Sequence, residues 1–264
     1  NLGPLIFFKF SSPPIALTTL NKIRTQKYGF SGNYKTWEDA LKNSTGYDSP
    51  DILERVKAAM LKVKSGEAVY ERDSVLFDEK EYSWPLMAGI LRTANSNDGC
   101  LGVLDFGGSL GSSYYQCKGF LSTLKKLRWC VVEQPSFVDV GVHTFKNNEL
   151  DFYPNISLCK KHEEINIILM SGVLQYLENP HDVLQDILSL DVNSIIVDRT
   201  PFLEKAHDDL LTVQTVPPSI YTASYPHWFF EKSKFLKQFS NKGYQLVAEF
   251  EGYDAANIQN SKYC

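Results

Sequence analysis

The sequence predicts an α/β fold with a doubly wound, mostly parallel sheet of seven strands, preceded by a helical appendage. Three observations point that way. From Leu101 onward, apolar runs of strand length alternate with helix-length segments, the order that builds a parallel sheet with helices on both faces. Ile165-Asn166-Ile167-Ile168-Leu169-Met170 is almost continuously apolar, as a central strand buried on both faces must be. Val103-Leu104-Asp105-Phe106-Gly107-Gly108-Ser109-Leu110-Gly111 reads as a buried strand that ends in an acid and breaks into a glycine-rich turn.

Taken in order, residues 1–98 are expected to form a largely helical appendage or lid. Leu5-Ile6-Phe7-Phe8 is an apolar run interrupted by Lys9, too short to span a bilayer and expected to pack on the domain or a partner subunit, with membrane contact as the alternative. Thr36 followed by Glu38 and Asp39 supplies a cap and first-turn acids. Ser49-Pro50-Asp51 opens a second helix, with Ile52, Val56, Ala59, Met60 and Val63 on one face and Gly66 past its end. Trp84 to Thr93 reads as a third helix, and Asn95-Ser96-Asn97-Asp98-Gly99 marks the junction with a domain over 99–264. There, strands are expected near 101–105, 128–133, 149–153, 165–170, 194–198 and 244–250. Helices are expected near 112–125, 136–146, 180–189 and 230–241.

Hydrophobic residues at 43% suffice for a sizeable core. A net charge of −4 with no basic stripe excludes a nucleic-acid surface. The five cysteines (100, 117, 130, 159 and 264) are scattered without a C-x-x-C pair. That suits a reducing, cytoplasmic setting and predicts no metal site.

The glycine turn and its acid carry the chemistry. Glycines let a backbone approach a ligand closely, because no Cβ intervenes. A second acidic strand end, Trp129-Cys130-Val131-Val132-Glu133, follows about twenty residues later, where an adenosine ribose is held through its hydroxyls. A G-x-G-x-x-G dinucleotide turn fits poorly, because its first glycine would fall on Phe106. The D-x-G-x-G-x-G turn of S-adenosylmethionine (SAM) enzymes fits better. Asp105, Gly107 and Gly111 take its anchor positions, Ser109 replaces the middle glycine, and Gly108 lies beside it. SAM carries an ammonium and no phosphate, so an acid before the turn suits it and repels a pyrophosphate.

A longer set of motifs resembles a family. It comprises Gly32-Asn33-Tyr34 with Trp37-Glu38-Asp39-Ala40, Tyr70-Glu71-Arg72-Asp73-Ser74, the turn at 104–111 and Val131-Val132-Glu133-Gln134-Pro135. It continues through Ser171-Gly172-Val173-Leu174-Gln175-Tyr176-Leu177, Asp198-Arg199-Thr200-Pro201 and Tyr221 to Trp228. Together these resemble an uncharacterised bacterial family of class I SAM-dependent methyltransferases, whose members lie among genes for O-antigen and other surface-polysaccharide assembly. The resemblance implies a Rossmann-like sheet, SAM as cofactor, and a sugar or sugar-linked acceptor. It also implies a closing antiparallel strand pair, for which Asn257 to Tyr263 is the remaining segment.

Ligands in open α/β sheets lie at the carboxyl ends of the strands. Gln134 is expected to flank the adenosine, and Phe152 to wall the adenine or serve as a core aromatic. Ser171 and Gly172 are expected beneath the methionine portion of SAM, with Gln175 facing the acceptor. Asp198 can accept a hydroxyl proton and Arg199 can clamp an anion, or the two can form an ion pair that closes the sheet end. Tyr221, Tyr225 and Trp228 can wall the acceptor, and His227 is the one histidine with a catalytic address. Arg72 can reach the SAM carboxylate or bridge to the main domain.

These features predict a SAM-dependent methyltransferase acting on a small-molecule or glycan acceptor, as a monomer or homodimer. The rivals are an NAD- or nucleotide-sugar-dependent oxidoreductase, and a non-catalytic scaffold with the same fold.

Overall fold

The computed structural model describes residues 5–11, 28–46, 50–72, 74–79, 82–203, 208–217 and 222–252. Asn257–Tyr263 and Tyr221 lie outside the described residues.

The strand–helix alternation produces a parallel α/β sheet. At its heart are β5 (Cys100–Phe106), β6 (Lys126–Val132), β7 (Leu150–Tyr153), β8 (Ile167–Ser171) and β9 (Ser194–Asp198). Their spatial order is β9-β8-β5-β6-β7. Two further strands, β1 (Leu5–Ser11) and β13 (Gln245–Gly252), extend the sheet beyond β9 in the order β13-β1-β9, both parallel. The apolar run at Leu5–Phe8 therefore lies inside the sheet as a strand, rather than packing upon it.

Side-chain alternation sorts each strand between two cores. On β5 and β8, Val103, Ile167 and Leu169 face one side, while Leu104, Ile168 and Met170 face the other. The first core is covered by α2 (Pro50–Ser65), α3 (Trp84–Ser96), α4 (Ser112–Leu121) and α5 (Pro135–Val140). The second is covered by α6 (Ile156–His162), α7 (Pro180–Leu188) and α8 (Lys232–Asn241). The helix expected near 136–146 continues from α5 as a π-helical turn, Gly141–Phe145.

Among its described residues, the stretch before Gly99 is less helical than its sequence suggests. It holds α1 (Trp37–Lys42), with Thr36 accepting the Asp39 N–H at 3.2 Å, together with α2 and α3. It also supplies β1, β2 (Gly29–Tyr34) and a hairpin of β3 (Tyr70–Arg72) and β4 (Val75–Phe77). β2 joins a second sheet with β10 (Phe202–Leu203), β11 (Leu210–Thr215) and β12 (Ser224–Glu231), in the order β10-β12-β11-β2. The aromatic segment around 224–230 is therefore a strand of that sheet. Glu231 ends it and caps α8, accepting from Ser233 N at 3.1 Å and Lys234 N at 2.6 Å.

The chain runs outward from β5 to β6 and β7, then returns to β8 on the other side of β5. That reversal opens a crevice at the carboxyl ends of β5 and β8, where ligands of such sheets bind.

Candidate functional site

β5 delivers Asp105 to the crevice buried, 1% exposed, with Trp129 beside it on β6. Val103 and Trp129 pair in register, so Asp105, two residues on, shares a face with the indole. Trp129 Nε1 donates to Asp105 Oδ2 at 2.9 Å, while Asp105 Oδ1 is buried without a hydrogen-bond partner. Burial pushes the Asp105 carboxyl up to about 7; the Trp129 hydrogen bond opposes this, and the nearby Glu133 charge adds to it.

The turn folds over that carboxylate. A Cβ on Gly108 would lie 2.4 Å from Asp105 Cγ, so only glycine lets the loop close on the acid. Gly107 has φ +71° and donates its N–H to Val132 O at 2.9 Å. Ser109 holds φ +54°, the left-handed region a middle glycine would favour. Its N–H donates to Glu133 Oε1 at 3.2 Å, while Gln134 N donates to Glu133 Oε2 at 2.7 Å. Burial raises the Glu133 carboxyl, against the pull of those two N–H groups. Gly111, φ +91°, then leads into α4.

A cleft of about 1700 Å³ opens over these groups. Asp105, Phe106, the turn at 107–109, Glu133 and Gln134 line one part of it. Ser171, Gly172, Gln175, Asp198 and Arg199 line the neighbouring part, with Tyr225 and His227 beyond. Most of the residues singled out in the sequence thus meet in one place.

At the second part, Ser171 Oγ donates to Asp198 Oδ2 at 3.2 Å and Gly172 N donates to Asp198 O at 2.9 Å. Arg199, at φ +51°, folds its side chain over Gly172, whose Cβ would stand 3.8 Å from the guanidinium carbon. Gln175 Nε2 donates to Arg199 O at 2.9 Å. His227 is buried against Phe30, Phe229 and Tyr176, and burial pushes its imidazole down to about 3. It stays neutral and is a feeble base.

Three expected contacts do not line the cleft. Phe152 sits in the first core, its ring within 2.4 Å of where a Gly141 Cβ would be, and it does not line the cleft. Trp228 points off β12 to the opposite side from His227, stacks on Trp37 at 6.5 Å and donates Nε1 to Leu177 O at 3.1 Å. Gly111 shapes the turn without lining the cleft, its would-be Cβ meeting Leu150 at 3.1 Å.

Sequence reasoning did not single out Glu71. It is buried on β3, accepts Ser112 Oγ at 2.6 Å and Ser74 N at 2.6 Å, and lines the cleft next to Arg72. Its place within Tyr70–Ser74 was the available signal; its partner at the start of α4 is too distant in sequence to read. Arg72 lies 5.4 Å from the Phe77 ring centroid, over its face.

Among the described residues, no group of three or more His, Cys, Asp or Glu side chains could hold a metal ion. No helix there is long and apolar enough to cross a membrane.

No protein-family model matches the sequence, and no curated protein does. Among solved structures, the chain is similar to the N-terminal domain of EvdMO1 in the presence of SAH and D-fucose. The identity is 15%, covering 74% of this chain and 87% of that one, with a TM-score of 0.41. It is similar to the DhpI-SAM-HEP complex at 11% identity, over 75% and 91%, with a TM-score of 0.40. Human N-acetylserotonin methyltransferase in complex with SAM aligns at 12% identity, over 72% and 50%, with a TM-score of 0.37.

Proposed function

We propose that the chain is a SAM-dependent methyltransferase that methylates a hydroxyl of a sugar or sugar-linked group. One observation carries the cofactor: two carboxylates at adjacent parallel strand ends flank a glycine turn, and the inner one keeps an oxygen without a partner. The residues present fit SAM. Asp105 Oδ1 offers a buried negative site to the ammonium. Glu133 uses two of its roughly four acceptor sites on Ser109 N and Gln134 N, which leaves room for two ribose hydroxyls. Gln134 flanks the adenosine, while Ser171 and Gly172 lie under the methionine portion. Arg72 and Glu71 close the tail from above.

When bound, SAM supplies a methyl group on a sulfonium, which is already a good leaving group. The chain's own task is to align the acceptor oxygen and exclude water. Asp198, at the end of β9, is the group to hold the hydroxyl proton, and Arg199 to fix the acceptor beside it. In this reading, residues 99–264 carry the cofactor site. The segments before Gly99 that reach it contribute Phe30, Trp37, Glu71 and Arg72 to its lining, while β1 belongs to the main sheet. Work on cytoplasmic precursors of surface polysaccharide is supported by the sequence resemblance alone.

Calorimetric titration with S-adenosylhomocysteine (SAH) and NADH is the test. SAH is expected to bind and NADH not, with Asp105→Asn and Glu133→Gln each weakening SAH at least about tenfold. Binding of NADH in place of SAH would overturn the reading. SAH binding with no methyl transfer to any sugar acceptor, followed by mass spectrometry, would favour a scaffold.

A further inference from the structure

Beyond the cofactor end, the cleft runs into a chamber built from three elements. Phe30 comes from β2, Tyr225 and His227 from β12, and Gln175 with Tyr176 from the 3-10 turn at Leu174–Tyr176. Aromatic rings make part of its wall. Phe30 lies 4.5 Å from the His227 ring, and Tyr176 meets both His227 and Tyr225 edge-on at 5.2 Å. The Tyr176 hydroxyl is tied to Gln214 Oε1 at 3.0 Å, which fixes that ring.

Two polar side chains in this wall are more than nine-tenths buried and carry unmet hydrogen-bonding capacity. His227 is 3% exposed and Gln175 is 4% exposed; His227 Nδ1 and Gln175 Oε1 have no partner. The amide of Gln175 is oriented by chemistry: the Arg199 carbonyl can only accept, so the NH₂ faces it and the oxygen turns the other way. A buried polar atom left unmade is costly, and such atoms in a cleft wall mark where a ligand supplies the missing partner. Gln175 Oε1 can only accept and calls for a donor, while a neutral imidazole carries one N–H and one lone pair, so a hydroxyl, which both donates and accepts, satisfies either atom. Asp198 and Arg199, which line the adjoining part of the cleft, are of opposite sign and together add no net charge to it. Burial keeps His227 uncharged as well.

We infer that this chamber takes an uncharged ring bearing hydroxyl or N–H donors, read by His227 and Gln175 and packed on Phe30, Tyr176 and Tyr225. Naming that ring the methyl acceptor rests on the methyltransferase reading; the chamber's preference for it does not. His227 is on this account a recognition residue, not the base.

The test uses the full chain with saturating SAH and ligand-observed NMR or calorimetry. Four probes are compared: methyl and phenyl pyranosides, simple phenols, uronates and sugar phosphates. Binding of pyranosides or phenols supports the inference, and whichever binds tells a saturated ring from an aryl one. Binding of the anionic probes only, or of none while SAH binds, overturns it. His227→Phe keeps the ring's shape and removes an unpaired polar atom, so its thermal midpoint should not fall. It should hold SAH within about twofold of the parent while losing at least about tenfold for the neutral probe. Unchanged affinity for that probe overturns the inference. Gln175→Leu gives the same readout independently, should His227→Phe not fold. If SAH does not bind, the methyltransferase reading fails, and the four probes titrated without SAH still decide the chamber's preference.

Discussion

Titrating SAH between about pH 5.5 and 8.5 is expected to show affinity rising by up to about tenfold per pH unit below 7 and levelling off above it. The cause is Asp105, whose carboxyl is held up near 7 chiefly by burial, against the Trp129 hydrogen bond. An ammonium needs the ionised form. One pH unit below the Asp105 value, about one-tenth of molecules are ionised; one unit above, about nine-tenths. Apparent affinity scales with that fraction, so the span corresponds to about 1.3 kcal/mol. Calorimetry in buffers of different ionisation enthalpy counts the released proton directly, approaching one per SAH near pH 6. Asp105→Asn should abolish the slope and weaken binding at pH 8 by more than tenfold. A flat profile with tight binding in the parent, or the parent's slope surviving in Asp105→Asn, would refute the assignment. The ligand-free protein should show the opposite trend in stability. The folded chain holds this proton at about 7 and the unfolded chain at 3.8, so the contribution is full below 3.8 and lost as pH rises through 7. For a fully buried group the shift corresponds to on the order of 4 kcal/mol. The cofactor's cation would then offset a cost built into the fold.

Three further outcomes follow from the turn and from one surface histidine. Gly108→Ala places a Cβ 2.4 Å from Asp105 Cγ, so it should displace the acid, cost about 1–3 kcal/mol in denaturant melts and weaken SAH at least about tenfold. Ser109→Gly relieves a left-handed φ of +54° and should raise stability by about 0.5–1 kcal/mol, read as a higher urea midpoint with unchanged slope. His181 Nε2 lies 2.6 Å from Asp209 Oδ2, and that hydrogen bond raises its imidazole against the effect of burial. The pair's contribution should be full below about 6.5 and lost as pH rises through the raised value. Because His181 is half-exposed, it should stay within about 1 kcal/mol, and His181→Gln should flatten the melting temperature across that window.

What could be read from the sequence, and what could not, divides along a physical line. β5, β8 and β9 carry their own evidence, because a strand buried on both faces must be apolar throughout, whatever it pairs with. Asp105 and Glu133 were legible for a similar reason: the βαβ unit fixes the distance between successive strand ends. β1 was not, since four apolar residues look the same whether they lie on a sheet or within it. Its partners, β9 and β13, are about two hundred residues away. β11 and β12 were hidden because buried polar residues, Thr212 in the one and Ser224 and His227 in the other, break the continuous apolar run that marks a strand buried on both faces, and no polar alternation replaces it. Phe152 shows the finest limit. Its position at the end of β7 was right, but alternation from Leu150 turns Phe152 into the first core and leaves Tyr153 to the second. The same parity argument on β12 sets His227 into the cleft and Trp228 behind it, against Trp37. Knowing which residue ends a strand is therefore not enough to know which one meets the ligand. Register against the next strand must be fixed first, and in this chain the Trp129–Asp105 hydrogen bond across β6 and β5 is the contact that reports it.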